Sequence, residues 1–209
     1  MGRPRPSAHA DVGVTGIDKR SVDRPVEIRD PGPKGTAGSG LAGDVVCDLR
    51  QHGGSEQAVY AYAREDLDGW EADLGRHLPG GVFGENLTTL GLDVTGALIG
   101  ERWRVGERCV LQVTSPRIPC RTFAGWLEVQ GWIRRFTLRG APGAYLGVVA
   151  PGAVQAGDPI AIVRRPAHDV TIGLMFRALM IDRDLIPRVL AAGDDLLDET
   201  REYVRHRAG

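Results

Sequence analysis

The sequence predicts a mainly β fold, a sheet or barrel with one inserted helix and a short helical segment at its C-terminus. Glycine is frequent, at 29 of 209 residues, and it separates short apolar or alternating runs. This punctuation is typical of sheets and barrels with many tight turns. In segment 109–114, Cys109, Leu111 and Val113 alternate with the other three residues, so that one face of it can be fully apolar.

Seven segments have the composition of strands, being short, apolar or alternating, and bounded by turn residues. They are 26–28, 44–49, 57–62, 97–105, 109–114, 144–150 and 159–163. The glycine- and proline-containing segment 30–40 is predicted to be a mobile loop.

Two regions have helical rather than strand periodicity. Between Arg64 and Leu78, apolar residues recur every three or four positions, which predicts an amphipathic helix inserted between strands. Beyond Asp169 we expect three short helices. Asp169 caps the first, which ends near Met180; the second covers 184–192, and the third covers 194–207.

The change in periodicity predicts two domains, a β domain over 1–165 and a three-helix domain over 166–209. The linker between them is Arg164-Arg165-Pro166. A dimerisation or lid element without chemistry of its own is the alternative interpretation of the helical segment, so a homodimer stays open.

The composition excludes several classes of partner. A formal net charge of −1 gives no reason to expect binding to nucleic acid or to an anionic membrane surface. No apolar run of about 18 residues is present, and no apolar segment follows the basic N-terminal residues. We therefore expect a cytoplasmic protein that acts on a small molecule.

The cysteine pattern favours free thiols. Cys47, Cys109 and Cys120 are odd in number, contain no CxxC pair and follow no secretory signal. The five histidines also lack the spacing of a classical zinc site.

Cys120 ends the segment SPRIPC, in which two prolines stiffen the backbone. Arg117 and Arg121 flank the thiol, and nearby positive charge favours the reactive thiolate. The pattern predicts a thiol held at the end of a strand, where functional groups commonly lie. A proline-bounded turn with an incidental cysteine is the alternative.

Two further segments contain candidate ligand-binding residues. In QHGGSEQAVYAY, His52 precedes Gly53 and Gly54, whose backbone amides could form an anion-binding nest; a glycine hairpin with a solvated histidine is the alternative. In GGVFGENLTTLGL, Glu85 precedes Asn86, an amide able to bind the edge of a heterocycle. Asparagine is also a common turn residue. No dinucleotide-binding fingerprint is present here.

Six motifs in a fixed order resemble the MOSC domain family, named after the C-terminal domain of molybdenum cofactor sulfurase. They are TGIDKRSVDRPVEI, GDVVCDLRQHGGSEQAVYAY, GVFGENLTTLGL, SPRIPC, GAYLGVV and VQAGDPIAIV. The resemblance covers about residues 10–165. The segment after Pro166 resembles the three-helix domain of stand-alone bacterial members.

The resemblance implies a closed β-barrel and a molybdenum centre held by a pterin dithiolene cofactor, molybdopterin, and by one cysteine, which maps onto Cys120. It further implies reduction of N-hydroxylated compounds such as hydroxylaminopurine bases, a detoxification that draws electrons from a separate flavoprotein reductase. The family motif commonly begins QPR, whereas this chain has Ser115, which removes any contact by a glutamine side chain there.

The residues are consistent with this chemistry, because thiolate is a soft ligand suited to a metal that already has sulfur donors. Three groups are expected to hold the anionic cofactor: Arg117, Arg121 and the His52-Gly53-Gly54 loop. Asn86 is expected to contact the pterin or the substrate, and His52 or Glu85 to relay protons.

Two other functions remain open at this point. In the first, the chain is a sulfur carrier or cofactor-handling module that holds a persulfide on Cys120. In the second, it is a binding protein without a catalytic role that sequesters the cofactor or a modified base.

Overall fold

A computed structural model describes the backbone of residues 1–208 and the side chains of residues 1–207. Within these residues the strands are Gly2–Pro6 (β1), Val14–Lys19 (β2), Val26–Ile28 (β3), Val59–Ala63 (β4), Leu87–Thr89 (β5), Arg102–Val105 (β6), Cys109–Pro116 (β7), Ala144–Ala150 (β8), Gly152–Val154 (β9) and Ile160–Arg164 (β10). The α-helices are Arg64–Leu74 (α1), Arg121–Leu127 (α2), Trp132–Arg139 (α3), Ile172–Met180 (α4), Ile186–Leu190 (α5) and Asp198–Ala208 (α6).

Six strands form one mixed sheet in the order β10-β6-β7-β8-β4-β5. All neighbours are antiparallel except β4 and β5, which are parallel. The register shifts within the β7–β8 and β10–β6 pairs. Because such bulges bend a strand and increase its twist, the sheet curls like half a barrel.

The closed barrel expected from the resemblance is not shown by this pairing. Among the described residues, β10 and β5 are the two edges of the sheet, while β1–β2 and β3–β9 form separate two-stranded ribbons. Closure requires the first and last strands to pair, and β5, with three residues, offers few backbone groups for it. The sheet-dominated character is confirmed, and the closure is not.

Five of the seven predicted strands are confirmed. Those at 26–28, 57–62, 109–114, 144–150 and 159–163 correspond to β3, β4, β7, β8 and β10 to within two residues. The strand expected at 44–49 is wrong, because the backbone there bonds in turns and loops rather than in a ladder: the Asp44 amide donates to the Leu41 carbonyl at 3.1 Å, and the Asp48 carbonyl accepts from the His52 amide at 3.0 Å. In the segment 97–105, only Arg102–Val105 is a strand.

The predicted helices are present with shifted ends. Helix α1 ends at Leu74 because Gly75 adopts the left-handed conformation, with φ 63°, and its amide donates to the Glu71 carbonyl. At α4 the cap is Thr171, whose hydroxyl accepts from the Leu174 amide at 3.0 Å. The prediction of Asp169 as the cap was wrong, since its carboxylate pairs with Arg188 instead.

Helices α2 and α3 were not predicted, and an aromatic cluster explains why they form. Its members are fully or almost fully buried and pack mainly edge to face: Trp70, Phe83, Phe123, Trp132 and Phe136. Ring centroids of Phe83 and Phe123 are 5.1 Å apart. The cluster therefore holds α2 beside the loop that contains Phe83.

A second hydrophobic core lies between the sheet and the C-terminal helices. It joins Trp103, Leu111 and Leu146 of the sheet to Met175 and Val204 of α4 and α6. The helices therefore pack against the sheet. The domain boundary at residue 166 stays a prediction.

Candidate functional site

A cavity of about 660 Å³, called here the central cavity, lies where the ends of several strands meet. It is lined by parts of the β1–β2 hairpin, segment 34–60, residues 84 and 86, segment 115–122, and residues of β8, α4 and α6. A volume of this size is ordinary for a site that binds a small molecule or a cofactor.

Strand register places three of the lining residues in one row. Tyr60 of β4 is opposite Tyr145 of β8, and Tyr145 is opposite Ser115 of β7. The two tyrosine rings have centroids 5.1 Å apart. Since neighbouring strands lie only about 4.8 Å apart, the chain leaves β7 directly beside this tyrosine pair.

Cys120 follows four residues after the end of β7 and lies on the wall of the central cavity. It is a half-buried free thiol at the N-cap of α2, and its side chain makes no capping hydrogen bond. The prediction of a thiol in a loop at a strand end is confirmed. Pro116, however, is the last residue of β7 itself, beside a register shift between Val113 and Ser115, an irregularity of the kind at which strands accept proline.

Arg117 is a buried cation in the same wall, with 7% of its surface exposed. Its guanidinium donates to the Phe83 carbonyl and lies 4.1 Å from the Phe123 ring centroid and 5.2 Å from that of Tyr60. Among the described residues no carboxylate comes within ion-pair distance of it. Burying an unpaired charge is costly, so this residue favours an anion in the central cavity.

His52 also lines the central cavity, and it is neutral at pH 7. Burial, together with the charges of Arg117 and Lys34, lowers the pKa of His52 to about 4, and Asp48 opposes the shift only in part. A neutral imidazole offers one donor and one acceptor nitrogen. It can therefore donate and accept hydrogen bonds, but a pKa of about 4 does not suit the proton relay expected of His52 at neutral pH.

Gly53 lines the central cavity, whereas Gly54 does not. Both have φ of 82°, and a Cβ at Gly53 would lie 2.6 Å from the Gly38 carbonyl oxygen. The Gly54 amide donates to the same carbonyl at 3.1 Å. The predicted nest therefore lacks the Gly54 amide, which is already bonded within the protein.

Asn86 lines the central cavity, but protein groups occupy most of its amide. Its Oδ1 accepts from the Tyr60 amide at 3.0 Å, and its Nδ2 donates to Asp44 Oδ2 at 2.9 Å. Lys19 Nζ lies 2.5 Å from the same carboxylate oxygen. Burial opposes ionisation of Asp44, yet the Lys19 charge and the hydrogen bonds from Lys19 and the Gly2 amide hold the pKa of Asp44 below its usual value.

Glu85 is buried outside the lining of the central cavity. Its carboxyl group accepts from the amides of Gly81 and Phe83, at 2.5 and 2.9 Å, and from the Thr88 hydroxyl at 3.0 Å. Burial raises the pKa of Glu85, and these hydrogen bonds partly offset the rise. Glu85 therefore stabilises its own loop by hydrogen bonds. Because it does not line the central cavity, it is not placed to relay protons there, contrary to the prediction.

Arg121 is exposed at the first position of α2 and contributes to the lining of the central cavity. Six of the predicted site residues therefore line the central cavity: His52, Gly53, Asn86, Arg117, Cys120 and Arg121. Glu85 and Gly54 support neighbouring loops.

Sequence reasoning missed several lining residues. Burial raises the pKa of Tyr145, although the Arg117 charge opposes the rise, so its hydroxyl stays protonated as a donor. Gln57 Oε1 is buried without a hydrogen-bond partner among the described residues. Cys47 is a second half-buried thiol of the cavity, and burial raises its pKa. Tyr145 lies in a motif of the MOSC resemblance, which was the available signal for it.

The residues present fit an anionic, sulfur-ligated cofactor. A free thiol supplies the soft ligand, buried Arg117 supplies uncompensated positive charge, and Gln57 Oε1 is an acceptor left without a donor. Within the described part of the chain, no group of three or more His, Cys, Asp or Glu side chains could hold a metal ion by itself.

None of the helices described in residues 1–208 is long and apolar enough to cross a membrane.

The family model of the MOSC domain matches residues 48–161, a segment that includes His52, Asn86 and Cys120. The chain belongs to the MOSC domain family. Family membership associates this MOSC protein with the molybdenum cofactor, in agreement with the donor set of the central cavity.

Individual relatives extend the similarity beyond that segment. The MOSC protein is 35% identical over 130 residues to YflK of Bacillus subtilis (strain 168), covering 62% of the chain and 58% of YflK. It is 32% identical over 174 residues to YiiM of Escherichia coli (strain K12), covering 80% of the chain and 77% of YiiM.

One relative has a name that describes an activity. A protein of Gibberella moniliformis (strain M3125 / FGSC 7600) named reductase is 28% identical over 182 residues, which are 83% of the chain but 32% of that protein. Among solved structures, YiiM from Geobacillus stearothermophilus matches with a TM-score of 0.78 at 25% identity, covering 100% of this chain and 96% of that one. The fold of this MOSC protein, including its C-terminal helices, is therefore that of YiiM.

Proposed function

We propose that the protein is a molybdenum-cofactor-dependent reductase of N-hydroxylated compounds such as hydroxylaminopurine bases. One observation carries the proposal: the free thiol of Cys120 and the buried, unpaired guanidinium of Arg117 line the same cavity. Membership of the MOSC domain family and the relative named reductase support it.

The proposed reaction converts R–NH–OH into R–NH₂ and water with two electrons and two protons. The bound cofactor supplies the two-electron redox chemistry at its metal. We propose that a separate flavoprotein reductase delivers the electrons. The chain itself then has to bind the cofactor, orient the substrate and handle protons.

Binding of the cofactor falls to residues of the strand end and the loops beside it. Cys120 is the proposed metal ligand, and coordination would deprotonate its thiol outright. Arg117 offsets negative charge from its buried position, where electrostatic interactions are strongest. Arg121 and Lys34 add positive charge at the cavity wall.

The Tyr145 hydroxyl is the proton-bearing group of the proposed site: burial raises its pKa, so it is protonated at neutral pH and is proposed to donate a hydrogen bond to an oxygen of the substrate. His52, with its pKa of about 4, is neutral at pH 7, so we propose that its imidazole forms hydrogen bonds to the cofactor or the substrate and does not relay protons. The charge of Arg117 lowers the pKa of both residues.

Turnover by three matched proteins tests the proposal. Wild type, Cys120→Ala and Cys47→Ala are produced in a host that makes the cofactor and assayed on hydroxylaminopurine with reduced methyl viologen as electron donor. Cys47 is the control because its thiol lines the same cavity. We expect Cys120→Ala to lose at least about a hundredfold in kcat/KM, as loss of a covalent metal ligand implies, and Cys47→Ala to stay near wild type. Equal activity of wild type and Cys120→Ala would exclude the proposal.

The sulfur-carrier alternative is distinguished by intact-mass spectrometry of the same preparations. A carrier would show the added mass of one sulfur atom on Cys120, without metal and without turnover. The binding-protein alternative would show bound cofactor or base and no turnover with the chemical reductant.

A further inference from the structure

The last helix of the chain forms part of the wall of the central cavity. Glu199, Thr200 and Tyr203 of α6 line it, together with Cys120 and Arg117 from the sheet side. The C-terminal helices therefore do more than cover the hydrophobic core, because residues of α6 face the space in which a substrate would be held.

A single buried carboxyl group ties α6 to the sheet. Glu56, 8% exposed, accepts from the Glu199 amide at 2.9 Å, from the Thr200 amide at 3.0 Å and from the Thr200 hydroxyl at 2.6 Å. The two amides are among the backbone donors that the first turn of a helix leaves unpaired. A carboxylate at this end of a helix is also favoured by the helix dipole.

The same residue is attached to the strand that precedes Cys120. The Thr114 hydroxyl of β7 donates to the Glu56 carbonyl at 2.6 Å and lies 3.0 Å from the Tyr145 carbonyl. The position of α6 relative to β7 is thus set by a short chain of hydrogen bonds through Glu56. A shift of α6 would have to break several of these bonds together.

Tyr203 is the aromatic side chain of the cavity that is least engaged with the protein. Tyr60 and Tyr145 face each other and Arg117, and the Tyr60 hydroxyl donates to the Pro142 carbonyl at 2.8 Å. Tyr203 is 39% exposed, and its contacts are with Arg207 of its own helix, which donates to its hydroxyl at 3.1 Å and lies 5.4 Å from its ring centroid, so one face of the ring is left for a ligand. Its neighbour Val204 is fully buried, which fixes the helix face that presents the ring.

We propose that Tyr203 is a specificity-determining residue that stacks on the planar ring of an N-hydroxylated heterocycle, and that Glu56 is the positioning residue that holds it there. The inference rests on the proposed function, and it assigns the selection of the substrate to the side of the cavity that α6 forms. Stacking of a base on an aromatic side chain is strong and tolerant of base identity. Such a contact would favour ring-bearing substrates over small ones.

The holoenzyme with two substrates tests the role of Tyr203. Hydroxylaminopurine bears a ring and hydroxylamine does not, and both are assayed with reduced methyl viologen. For Tyr203→Ala we expect KM for hydroxylaminopurine to rise about tenfold with kcat little changed, and KM for hydroxylamine to stay the same. Tyr203→Phe should retain the wild-type KM, and Glu202→Ala, which alters an exposed position of the same helix, should resemble wild type. Equal effects of Tyr203→Ala on both substrates, or no effect, would overturn the inference.

Glu56→Gln tests the positioning role, because it keeps the size of the side chain but replaces one acceptor oxygen by an amide donor. We expect KM for hydroxylaminopurine to rise while kcat for both substrates is preserved. If kcat falls equally for both substrates, Glu56 serves general stability and is not a positioning residue.

A binding measurement separates failure of this inference from failure of the proposed function. 2-Aminopurine is a planar fluorescent purine whose emission is quenched by stacking, so its titration into the holoprotein needs no turnover. If wild type reduces neither substrate, the proposed function fails, and the titration still decides on Tyr203. Wild type should bind and quench the probe, and Tyr203→Ala should weaken binding about tenfold. Equal binding by the two proteins, or no binding by wild type, would contradict the inference.

Discussion

Three buried charged side chains near the central cavity differ in how they are compensated. Asp44 is matched by Lys19 and by amide donors, and Glu85 is satisfied within its own loop. Arg117 has a backbone carbonyl and two aromatic rings, but no carboxylate among the described residues. Burial alone therefore does not distinguish the residue that binds an anion. Arg117 is distinguished by the lack of a carboxylate partner among the described residues.

His52 predicts a pH dependence of stability. In the unfolded chain the pKa of a histidine is about 6.5, and in the folded protein the pKa of His52 is about 4. Between these values the unfolded chain binds more protons, so stability falls as the pH drops from about 6.5 towards 4. The variant His52→Gln has no titrating group at this position. As the pH drops from about 6.5 to 4, its free energy of unfolding should fall by about 2 kcal/mol less than that of wild type. Urea unfolding at several pH values measures it; parallel pH profiles of the two proteins would show that the imidazole does not contribute.

Asp44→Asn should strongly destabilise the protein. The carboxylate accepts from Lys19, Asn86 and the Gly2 amide, and its loss leaves the Lys19 ammonium buried without a partner. Breaking such a pair costs about 3 kcal/mol or more. Asp73→Asn is the control, because its pair with Arg139 is exposed and is worth about 1 kcal/mol or less. Similar losses in the free energy of unfolding for both variants would contradict this account of the buried pair.

At the scale of elements, backbone geometry fixes the loop that contains His52. Gly53 and Gly75 both have positive φ, but only Gly53 has backbone atoms in the space of a Cβ; nothing lies within 4 Å of that position at Gly75. Alanine at Gly75 should therefore cost only the strain of its left-handed conformation, about 1 kcal/mol. Gly53→Ala should cost clearly more, because the Gly38 carbonyl must move as well.

The comparison is made by thermal and urea unfolding of the two variants, with cofactor content measured in parallel. We expect Gly53→Ala also to lower cofactor content, since the displaced loop lines the cavity, whereas Gly75→Ala should not. If both variants lose the same stability, the close approach at Gly53 has no energetic consequence.

Elements whose periodicity is strong and local could be predicted from the sequence. Strand β7 and helix α1 each have an apolar face that a short window reveals. The segment 44–49 has a strand-like composition, yet its backbone bonds in turns, with the Asp44 amide donating to Leu41 and the Asp48 carbonyl accepting from His52. Helices α2 and α3, with seven and eight residues, depend on aromatic packing from distant segments, which local propensity does not contain.

At the scale of the whole molecule, residues that the motif order selected lie together. Arg117 and Cys120 of one segment and His52 of another line the same cavity; their roles stay predictions. The contribution of α6 was not foreseeable in this way. Its contact with Glu56 joins residues more than 140 positions apart in the sequence, and no local sequence pattern predicts such a contact.

The central claim is that Cys120 holds a molybdenum cofactor, and the molybdenum content of purified protein tests it most directly. Wild type from a host that makes the cofactor should carry about one molybdenum atom per chain. Cys47→Ala should match it, and Cys120→Ala should carry at least about tenfold less while circular dichroism shows an unchanged fold. Molybdenum at the wild-type level in Cys120→Ala, or none in wild type, would contradict the account.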